Sequence, residues 1–426
     1  MKYKMLLAVI MGNILEFYDF MIFAHLSTVI GPLFFPSDSP DKSHLAILGV
    51  FALSNISRLV GAIYFGSMAD KEGRKEAVAK TVLLMSLPTL LIGLMPTYAT
   101  IGVLATIIMI GLRFMQGVAM GGEYNNSGLL LMENFPKNKG IVSGILSSSC
   151  QVGSLIALGL VYIVLMFREI EWLWRATFIF GSVFGLISYR LRRVIMESDE
   201  FKLFEANKKV KRSADTEGFK EIFKDYRNFI ALIAVGGLVG ALVWIPITFT
   251  NFYVTKTLKL PNEIGLDATL TAIITYIISC VVMGYIADKF KPIKVMLIAC
   301  MGLIVFAYPL FGFLVKQNFT AFQILITLFT GAFVGPVHAF TVNLYSVNKR
   351  GRAVSLGFGL GVGIIGSTTP IVAPYLIEVT GSHYAPAMYL MVLSALAFLS
   401  MVKSKQFSDL QEEEEEEEEL SLSASK

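Results

Sequence analysis

Long apolar segments follow one another along most of the chain and are separated by short polar stretches. A helix needs about 20 predominantly apolar residues to cross the hydrocarbon core of a bilayer, and about twelve segments reach that length. One longer polar stretch divides them into two sets of six. We therefore expect an all-α membrane protein with twelve transmembrane helices in two pseudo-symmetric six-helix bundles. The predicted spans are residues 5–33, 45–68, 76–96, 99–122, 139–164, 173–194, 228–253, 266–287, 293–315, 320–345, 352–379 and 383–402.

The long polar stretch and the end of the chain set the predicted domain boundaries. We expect an N-terminal six-helix bundle at 1–196, a basic cytoplasmic linker at 197–227 and a C-terminal six-helix bundle at 228–403. Residues 404–426 form a predicted acidic tail in the cytoplasm, because a run of eight glutamates followed by Ser and Leu offers no folded core.

The composition agrees with a membrane protein. Of the 426 residues, 55% are hydrophobic and 16% are charged, whereas a soluble domain carries about 25% charged residues. A mean hydropathy of +0.65 excludes a disordered chain and argues against a soluble enzyme. The three cysteines and four histidines have neither metal-ligand nor disulfide spacing, and no phosphate-binding glycine loop occurs. We therefore expect no metal, no cofactor and no enzymatic activity.

Basic residues are distributed unevenly between the two sides of the predicted membrane. If the N-terminus is cytoplasmic, 28 of the 36 lysines and arginines fall in cytoplasmic segments and 6 fall in outer segments. The remaining two, Arg58 and Arg113, lie within spans. Because cytoplasmic loops are enriched in Lys and Arg, this count places both termini in the cytoplasm. The basic balance thus reflects topology, and we expect no nucleic-acid partner.

Two loops carry the same short pattern, Gly-x-x-x-Asp-Lys followed by further basic residues. One follows span 2 and the other follows span 8, the corresponding position of the second half. The first resembles the hallmark loop of the major facilitator superfamily, and such repeats of six-span halves occur in carriers that work by alternating access. The resemblance implies a central cavity between the halves and a cytoplasmic gate. The gate residues are Gly66, Asp70, Lys71, Gly73, Arg74 and Lys75 in the first loop, and Gly284 and Asp288 in the second.

Three groups of residues in the first half form a narrower pattern. They are Gly12, Asn13, Glu16, Phe17, Tyr18, Asp19 and Phe20 in span 1; Arg113, Gln116, Gly117, Gly121, Gly122 and Glu123 in span 4; and Trp172, Trp174, Arg175, Phe178, Glu197, Ser198 and Phe201 around span 6. This pattern resembles the metabolite:proton symporter family, which includes the proline/betaine transporters. The resemblance covers about the first 200 residues, and this chain departs from it at Leu59 and Asp199, where relatives often have proline.

Four ionisable residues lie at similar depths in the first half. Glu16 and Asp19 are three residues apart and therefore share one face of span 1. Arg58 and Arg113 lie in spans 2 and 4, and an ionisable side chain at bilayer depth is a candidate functional residue. Burial favours the neutral form of a carboxyl group, and a neighbouring guanidinium favours the ionised form. We hypothesise that Asp19 or Glu16 takes a proton with Arg58 or Arg113 as its switchable partner; the alternative is a static ion pair.

Three further polar residues are candidates for the proton path or the substrate cavity. Glu123 falls at the predicted cytoplasmic end of span 4 and is either a proton site or a helix-end residue that pairs with basic loops. His338 is a lone histidine on an apolar span, where a hydrogen-bonded core residue is the commoner case. Gln116 either lines a cavity or makes an interhelical hydrogen bond.

By resemblance, the expected function is proton-coupled uptake of a small polar metabolite, an osmolyte or amino acid such as proline or betaine. An organic-acid:proton symporter is the first alternative, since two intramembrane arginines suit a carboxylate. A non-transporting sensor on the same fold is the alternative of another class. The expected partners are the small-molecule substrate, protons and the lipid bilayer. We expect a monomer in the cytoplasmic membrane of a bacterium.

Overall fold

The computed structural model describes residues 2–37, 40–167, 169–193, 197–210 and 219–408. Twelve long helical segments run through these residues and are labelled α1 to α12. Their bounds are Lys2–His25, Pro40–Lys71, Arg74–Leu94, Val103–Asn134, Lys139–Met166 and Leu173–Arg193 for α1 to α6, and Tyr226–Thr257, Asn262–Phe290, Pro292–Val315, Phe319–Thr341, Val347–Thr380 and Ala385–Val402 for α7 to α12. Short helices at Ser27–Phe34, Tyr98–Ile101, Asp199–Val210 and Phe219–Lys224 lie between them.

The twelve-helix prediction is confirmed, although several predicted helix ends differ from the observed ones. By length and composition, ten of the twelve helices can cross a membrane. The other two are α2, which contains Arg58, and α6, whose last turn holds three arginines. The largest error in the bounds is in α4, which continues to Asn134. Polar residues such as Asn126 end the apolar run near residue 122, yet Asn126 is fully buried against other helices.

Residues 1–136 and 145–212 contribute to one compact unit. In this unit α4 packs against α2 and α3, and α3 packs against α6. Glycines allow α2 and α4 to touch through their backbones: a Cβ atom on Gly121 would lie 1.9 Å from the carbonyl oxygen of Arg58, and one on Gly61 would lie 1.8 Å from that of Val118. Small residues of this kind let membrane helices approach closely. The contact fixes Arg58 against α4.

Aromatic residues form the core at the opposite end of α1 from its N-terminus. The ring of Trp174 meets Phe34 edge-on at 5.8 Å and Phe178 at 6.0 Å between centroids. All three side chains are buried. Trp174 and Phe178 carry part of the family resemblance, and their role in this structure is packing.

The described residues within 137–144 and 219–408 belong to a second compact unit. In it α8 packs against α10, α9 against α12, and α7 against α11. The helices α7 and α11 contain π-helical segments at Ile245–Phe249, Tyr253–Thr257 and Gly361–Gly366. The acidic tail beyond residue 408 and residues 211–218 of the predicted linker lie outside the described residues.

Candidate functional site

Gln116 joins Asp19 and Arg113 in one buried network. Its amide nitrogen Nε2 donates to Asp19 Oδ2 at 2.6 Å and to Thr89 Oγ1 at 2.9 Å. Its amide oxygen Oε1 accepts from Arg113 Nη1 at 2.8 Å. Arg113 Nη1 also lies 3.7 Å from Asp19 Oδ2. The network therefore connects α1, α3 and α4 and places the carboxylate and the guanidinium in one ion pair.

The charged groups of this network are buried, but some of their polar atoms lack a hydrogen-bond partner in the described part of the chain. Asp19 and Arg113 are buried, and the Arg113 guanidinium carbon lies 3.9 Å from the centroid of the Phe23 ring. Asp19 Oδ1 and Arg113 Nε find no hydrogen-bond partner in the described part of the chain. Each charged group thus keeps one unused position, which a substrate, a proton or a water molecule could occupy.

Glu16 and Arg58 lie beside this network without a close contact to each other. Glu16 is 2% exposed, and neither of its carboxylate oxygens has a hydrogen-bond partner among the described residues. The Arg58 guanidinium carbon lies 4.4 Å from the centroid of the Phe20 ring, and Arg58 is within electrostatic range of Glu16 and Arg113. The four charged residues predicted from the sequence therefore occupy one region of the first unit.

Glu123 is bound by a residue that the sequence patterns did not single out. Arg192 Nη2 lies 2.6 Å from Glu123 Oε1, Ser127 donates to the same oxygen at 3.2 Å, and Thr81 donates to Oε2. The expected position at a helix end was wrong, because α4 continues about three turns beyond Glu123. The expected partner in a basic loop was also wrong. Arg192 lies in the last turn of α6 and is 1% exposed.

Two helices besides α4, namely α1 and α3, hold the Arg192 guanidinium. It extends from α6 and donates from Nε to Ala8 O at 3.3 Å, from Nη1 to Val78 O at 2.8 Å and from Nη2 to Val9 O at 3.0 Å. A Cβ atom on Gly12 would lie 1.8 Å from Nη2, so the side chain at residue 12 must be absent for Arg192 to fit. Packing against Arg192 therefore explains why the span 1 motif has a glycine at residue 12.

The first of the two repeated loops, which is predicted to form a gate, contains a buried charge network. Arg74 is fully buried; its Nη1 lies 3.5 Å from Asp70 Oδ1 and donates to Ala69 O at 2.6 Å. Its Nε donates to Glu133 Oε1 of α4 at 3.2 Å. The loop thus joins the ends of α2, α3 and α4 in one cluster of opposite charges.

The other residues of this loop have different roles. Gly66 is buried within α2, and Lys71 is exposed where that helix ends. Gly73 has a φ of +106°, a conformation that L side chains rarely adopt, and a Cβ atom there would lie 2.2 Å from Glu197 Oε2. The backbone N–H of Lys75 donates to the same oxygen at 2.9 Å. The turn conformation thus makes room for Glu197.

The start of the linker packs on the gate loop. Ser198 Oγ donates to Glu133 Oε2 at 2.7 Å and accepts from Phe201 N–H at 3.1 Å, so it caps the helix Asp199–Val210. The Phe201 ring lies 5.1 Å from the Arg74 guanidinium carbon. Burial raises the pKa of the Glu197 carboxyl, against the opposing effect of hydrogen bonds from the Ser198 and Lys75 N–H groups.

The second gate loop makes a different contact. Asp288 near the end of α8 accepts from the backbone N–H of Gly140 at 2.6 Å and from that of Ile141 at 2.9 Å. These are first-turn N–H groups of α5, where a negative charge is favoured. A Cβ atom on Gly284 would lie 2.4 Å from Gly140 O, so the motif glycine permits the close approach.

His338 belongs to the second unit and not to the network around Asp19. It is buried, its backbone N–H donates to Ser143 Oγ at 3.0 Å, and its ring lies 6.4 Å from that of Phe358. In the part of the chain that the structure describes, no three His, Cys, Asp or Glu side chains are grouped to hold a metal ion.

Comparisons with known proteins identify the family. The model described as Major Facilitator Superfamily matches residues 9–317 and 256–424. A Staphylococcus aureus (strain COL) protein with the provisional name proline/betaine transporter is 31% identical over 93% of this chain and 86% of its own length. The proline/betaine transporter of Salmonella typhimurium (strain LT2) is 26% identical over 95% of this chain and 83% of its own.

A solved structure has the same fold. The proton:xylose symporter XylE, bound to 6-bromo-6-deoxy-D-glucose, superposes with a TM-score of 0.74, with 94% of each chain covered and 14% sequence identity. A family match over most of the sequence, together with relatives that align along nearly their whole length, shows that the chain belongs to the major facilitator superfamily of membrane transporters.

Proposed function

We propose that the protein couples proton entry to the uptake of a small polar metabolite, with proline and betaine as the first candidates. The observation that carries this proposal is the buried network of Asp19, Gln116 and Arg113. The names of the relatives support the substrate class. Both candidates carry a carboxylate, and a guanidinium with an unused N–H group is suited to bind one.

Protonation of Asp19 explains the coupling in this proposal. While Asp19 is ionised, it holds the Arg113 guanidinium at 3.7 Å and accepts from Gln116. A proton on Asp19 removes the negative charge, so Arg113 becomes available for the substrate carboxylate. Substrate binding and proton binding then favour each other, which is the linkage that symport requires.

Arg113 and Gln116 are proposed to have separate tasks. Arg113 binds the cargo carboxylate through its unused Nε position. Gln116 keeps the guanidinium oriented through the 2.8 Å bond to its oxygen, whichever form Asp19 takes. The stacking of Arg113 on Phe23 also persists after the ion pair opens.

We further propose that the two Asp-containing loops form the cytoplasmic gate. Their support is the charge cluster of Asp70, Arg74 and Glu133 and the contact of Asp288 with the start of α5. We also propose the domain organisation that the sequence predicts. It consists of six-helix bundles at residues 1–196 and 228–403, a basic linker between them and an acidic tail.

The proposed location is the cytoplasmic membrane of a bacterium, with both termini in the cytoplasm. The charge asymmetry of the loops supports the orientation. Large apolar side chains such as Ile298 and Ile371 are 71% and 73% exposed, which supports contact with lipid along the helices. We propose that the carrier works as a monomer.

An organic acid is the second candidate substrate. Arg58 Nε and Nη2 lack hydrogen-bond partners within the described ranges, so a second guanidinium close to Arg113 is available for a second carboxylate. A dicarboxylate would use both arginines, whereas proline or betaine needs one.

The test uses purified protein in liposomes that contain a pH-sensitive dye. Proline, glycine betaine, 2-oxoglutarate, citrate and shikimate are added outside, one at a time. We expect interior acidification with proline or betaine. Acidification with a dicarboxylate alone would assign the second candidate, and a labelled cargo that exchanges without acidification would refute proton coupling. Binding without any transport would favour a sensor.

A further inference from the structure

A small cavity inside the first unit separates two of the buried acids. Glu16 of α1, Thr81 of α3 and Glu123 of α4 contribute to its walls, with apolar residues such as Ala119 between them. The centre of a water molecule can move within about 10 Å³ of this cavity. A cavity of about that size is at the lower limit for holding one water, and a buried water needs two to four polar partners. The three polar side chains supply that number.

Glu16 is the buried acid that most needs such a water. No described side chain donates to either of its oxygens, and it is 2% exposed. A buried polar group without a hydrogen bond destabilises the folded state, because it has lost its contacts with water. The charged residues within electrostatic range of it are Glu123, Arg58 and Arg192. None of these donates a hydrogen bond to it in the described part of the chain, so a hydrogen bond to a cavity water is the simplest way to satisfy the carboxyl group.

Glu123 is arranged to accept a proton without loss of the surrounding structure. Its carboxylate accepts from Thr81 and Ser127 and pairs with Arg192. Arg192 also donates to the carbonyl groups of Ala8, Val9 and Val78. Protonation of Glu123 would therefore remove one partner of the guanidinium and leave three in place.

We propose that the cavity holds one water molecule that passes a proton from Glu16 to Glu123. Protonated Glu16 donates its O–H to the water oxygen, and the water donates one of its own hydrogens to the Glu123 carboxylate. One O–H bond breaks and one forms at each step, so Glu16 ends ionised and Glu123 ends neutral. Thr81 positions the acceptor, and Arg192 compensates its charge before the proton arrives.

This relay rests on the proposed proton coupling and extends it. Asp19 lies one helical turn beyond Glu16 on the same face of α1. A proton released from Asp19 would thus have a path through Glu16 towards the half of α4 that follows Glu123. The relay predicts that coupling needs Glu16 and the Thr81 hydroxyl, although neither need touch the cargo.

The test compares two transport modes in the same liposomes. One mode is uptake driven by a proton gradient, and the other is exchange of labelled against unlabelled cargo at equal pH, which needs no net proton transfer. The variants are Glu16→Gln, which keeps the shape of the side chain, and Thr81→Val, which removes the hydroxyl. Thr81→Ser is the matched control, because it restores the hydroxyl. Thermal unfolding in detergent checks that each variant is folded.

We expect Glu16→Gln and Thr81→Val to lower proton-driven uptake about tenfold or more, the scale of lost proton transfer, with exchange kept within about twofold. Thr81→Ser should recover most of the proton-driven rate. Wild-type coupling in folded Glu16→Gln, or equal loss of both modes in it, would overturn the relay. If the wild type itself moves no protons with its cargo, the proposed function fails first and the relay fails with it.

Discussion

Removing the Arg192 side chain is the sharpest structural perturbation of the first unit. In Arg192→Met the apolar stem is kept and the guanidinium is lost. Glu123 then remains buried, with hydrogen bonds from Thr81 and Ser127 and no opposite charge in contact. The matched control is Arg193→Met, since Arg193 is exposed on the same helix and stacks on Tyr189.

The size of the effect follows from what each partner loses. Ala8, Val9 and Val78 lie within helices, so their carbonyl groups keep their intrahelical hydrogen bonds when the guanidinium is removed. The main cost is therefore the unpaired buried carboxylate. Breaking a buried ion pair by removing one partner costs about 3–5 kcal/mol. Adding Glu123→Gln removes the unpaired buried charge. The double variant should therefore recover most of the stability that Arg192→Met loses.

Thermal unfolding of purified protein in detergent measures these differences. We expect a clear drop in the midpoint for Arg192→Met, a substantial recovery in the double variant, and little change for Arg193→Met. Equal midpoints for the wild type and Arg192→Met would refute the assignment of a buried pair. A double variant that is no more stable than Arg192→Met would show that the carbonyl contacts, not the charge, carry the energy.

Three further predictions concern the cargo, the helix contact and the linker. Arg113→Lys should raise the KM of uptake by about tenfold or more, because a single ammonium nitrogen cannot contact Gln116 and the cargo from two separate positions as the guanidinium does, and initial-rate transport measures it. Gly121→Ala should lower the yield of folded protein, because the new Cβ atom would lie 1.9 Å from the carbonyl oxygen of Arg58. Gly111→Ala is the control and should fold normally, because no atom lies within 4 Å of the Cβ position there. The raised pKa of Glu197 means that the folded state binds its proton more tightly than the unfolded state. The stability that this proton contributes is full below the ordinary value of 4.5 and is lost as pH rises through the folded-state pKa, so the unfolding midpoint should fall over that window in the wild type and fall less in Glu197→Gln.

Hydropathy was sufficient to predict the helices, because lipid-facing and core positions are both apolar. It failed where polar residues face other helices. The apolar run of α4 stops near residue 122, whereas Asn126 bonds to the carbonyl oxygens of Phe65 and Gly122 and the helix continues. The same limit applies to Arg192. It is one of three arginines in the last turn of α6, and only its contacts with α1, α3 and α4 show that it is buried.

The chemistry of the candidate site was partly visible from the sequence. Spacing placed Glu16 and Asp19 on one face, and the charges of Arg58 and Arg113 marked them as unusual. The pairing itself depends on helix rotation and on Gln116, an uncharged residue whose amide joins the acid to the arginine. No periodicity in the sequence encodes that arrangement.

The linker gave another result that sequence patterns alone could not provide. Glu197 and Ser198 resemble the exit of span 6. In the structure the Glu197 carboxylate accepts from the backbone N–H of Lys75, 122 residues earlier, and the Ser198 hydroxyl donates to Glu133. Glu133 joins Ser198 to Arg74, although in the sequence it is only a single acid before the end of α4. Long-range contacts of this kind require the folded arrangement of three helix ends.

The most direct test of the account measures proton influx and labelled-cargo exchange together, in wild-type and Asp19→Asn liposomes. The wild type should acidify the interior when cargo is added outside and should also exchange cargo at equal pH. Asp19→Asn should exchange cargo without acidification, because the amide cannot take up and release the proton. Acidification by folded Asp19→Asn at the wild-type rate would contradict the central claim that Asp19 carries the coupled proton.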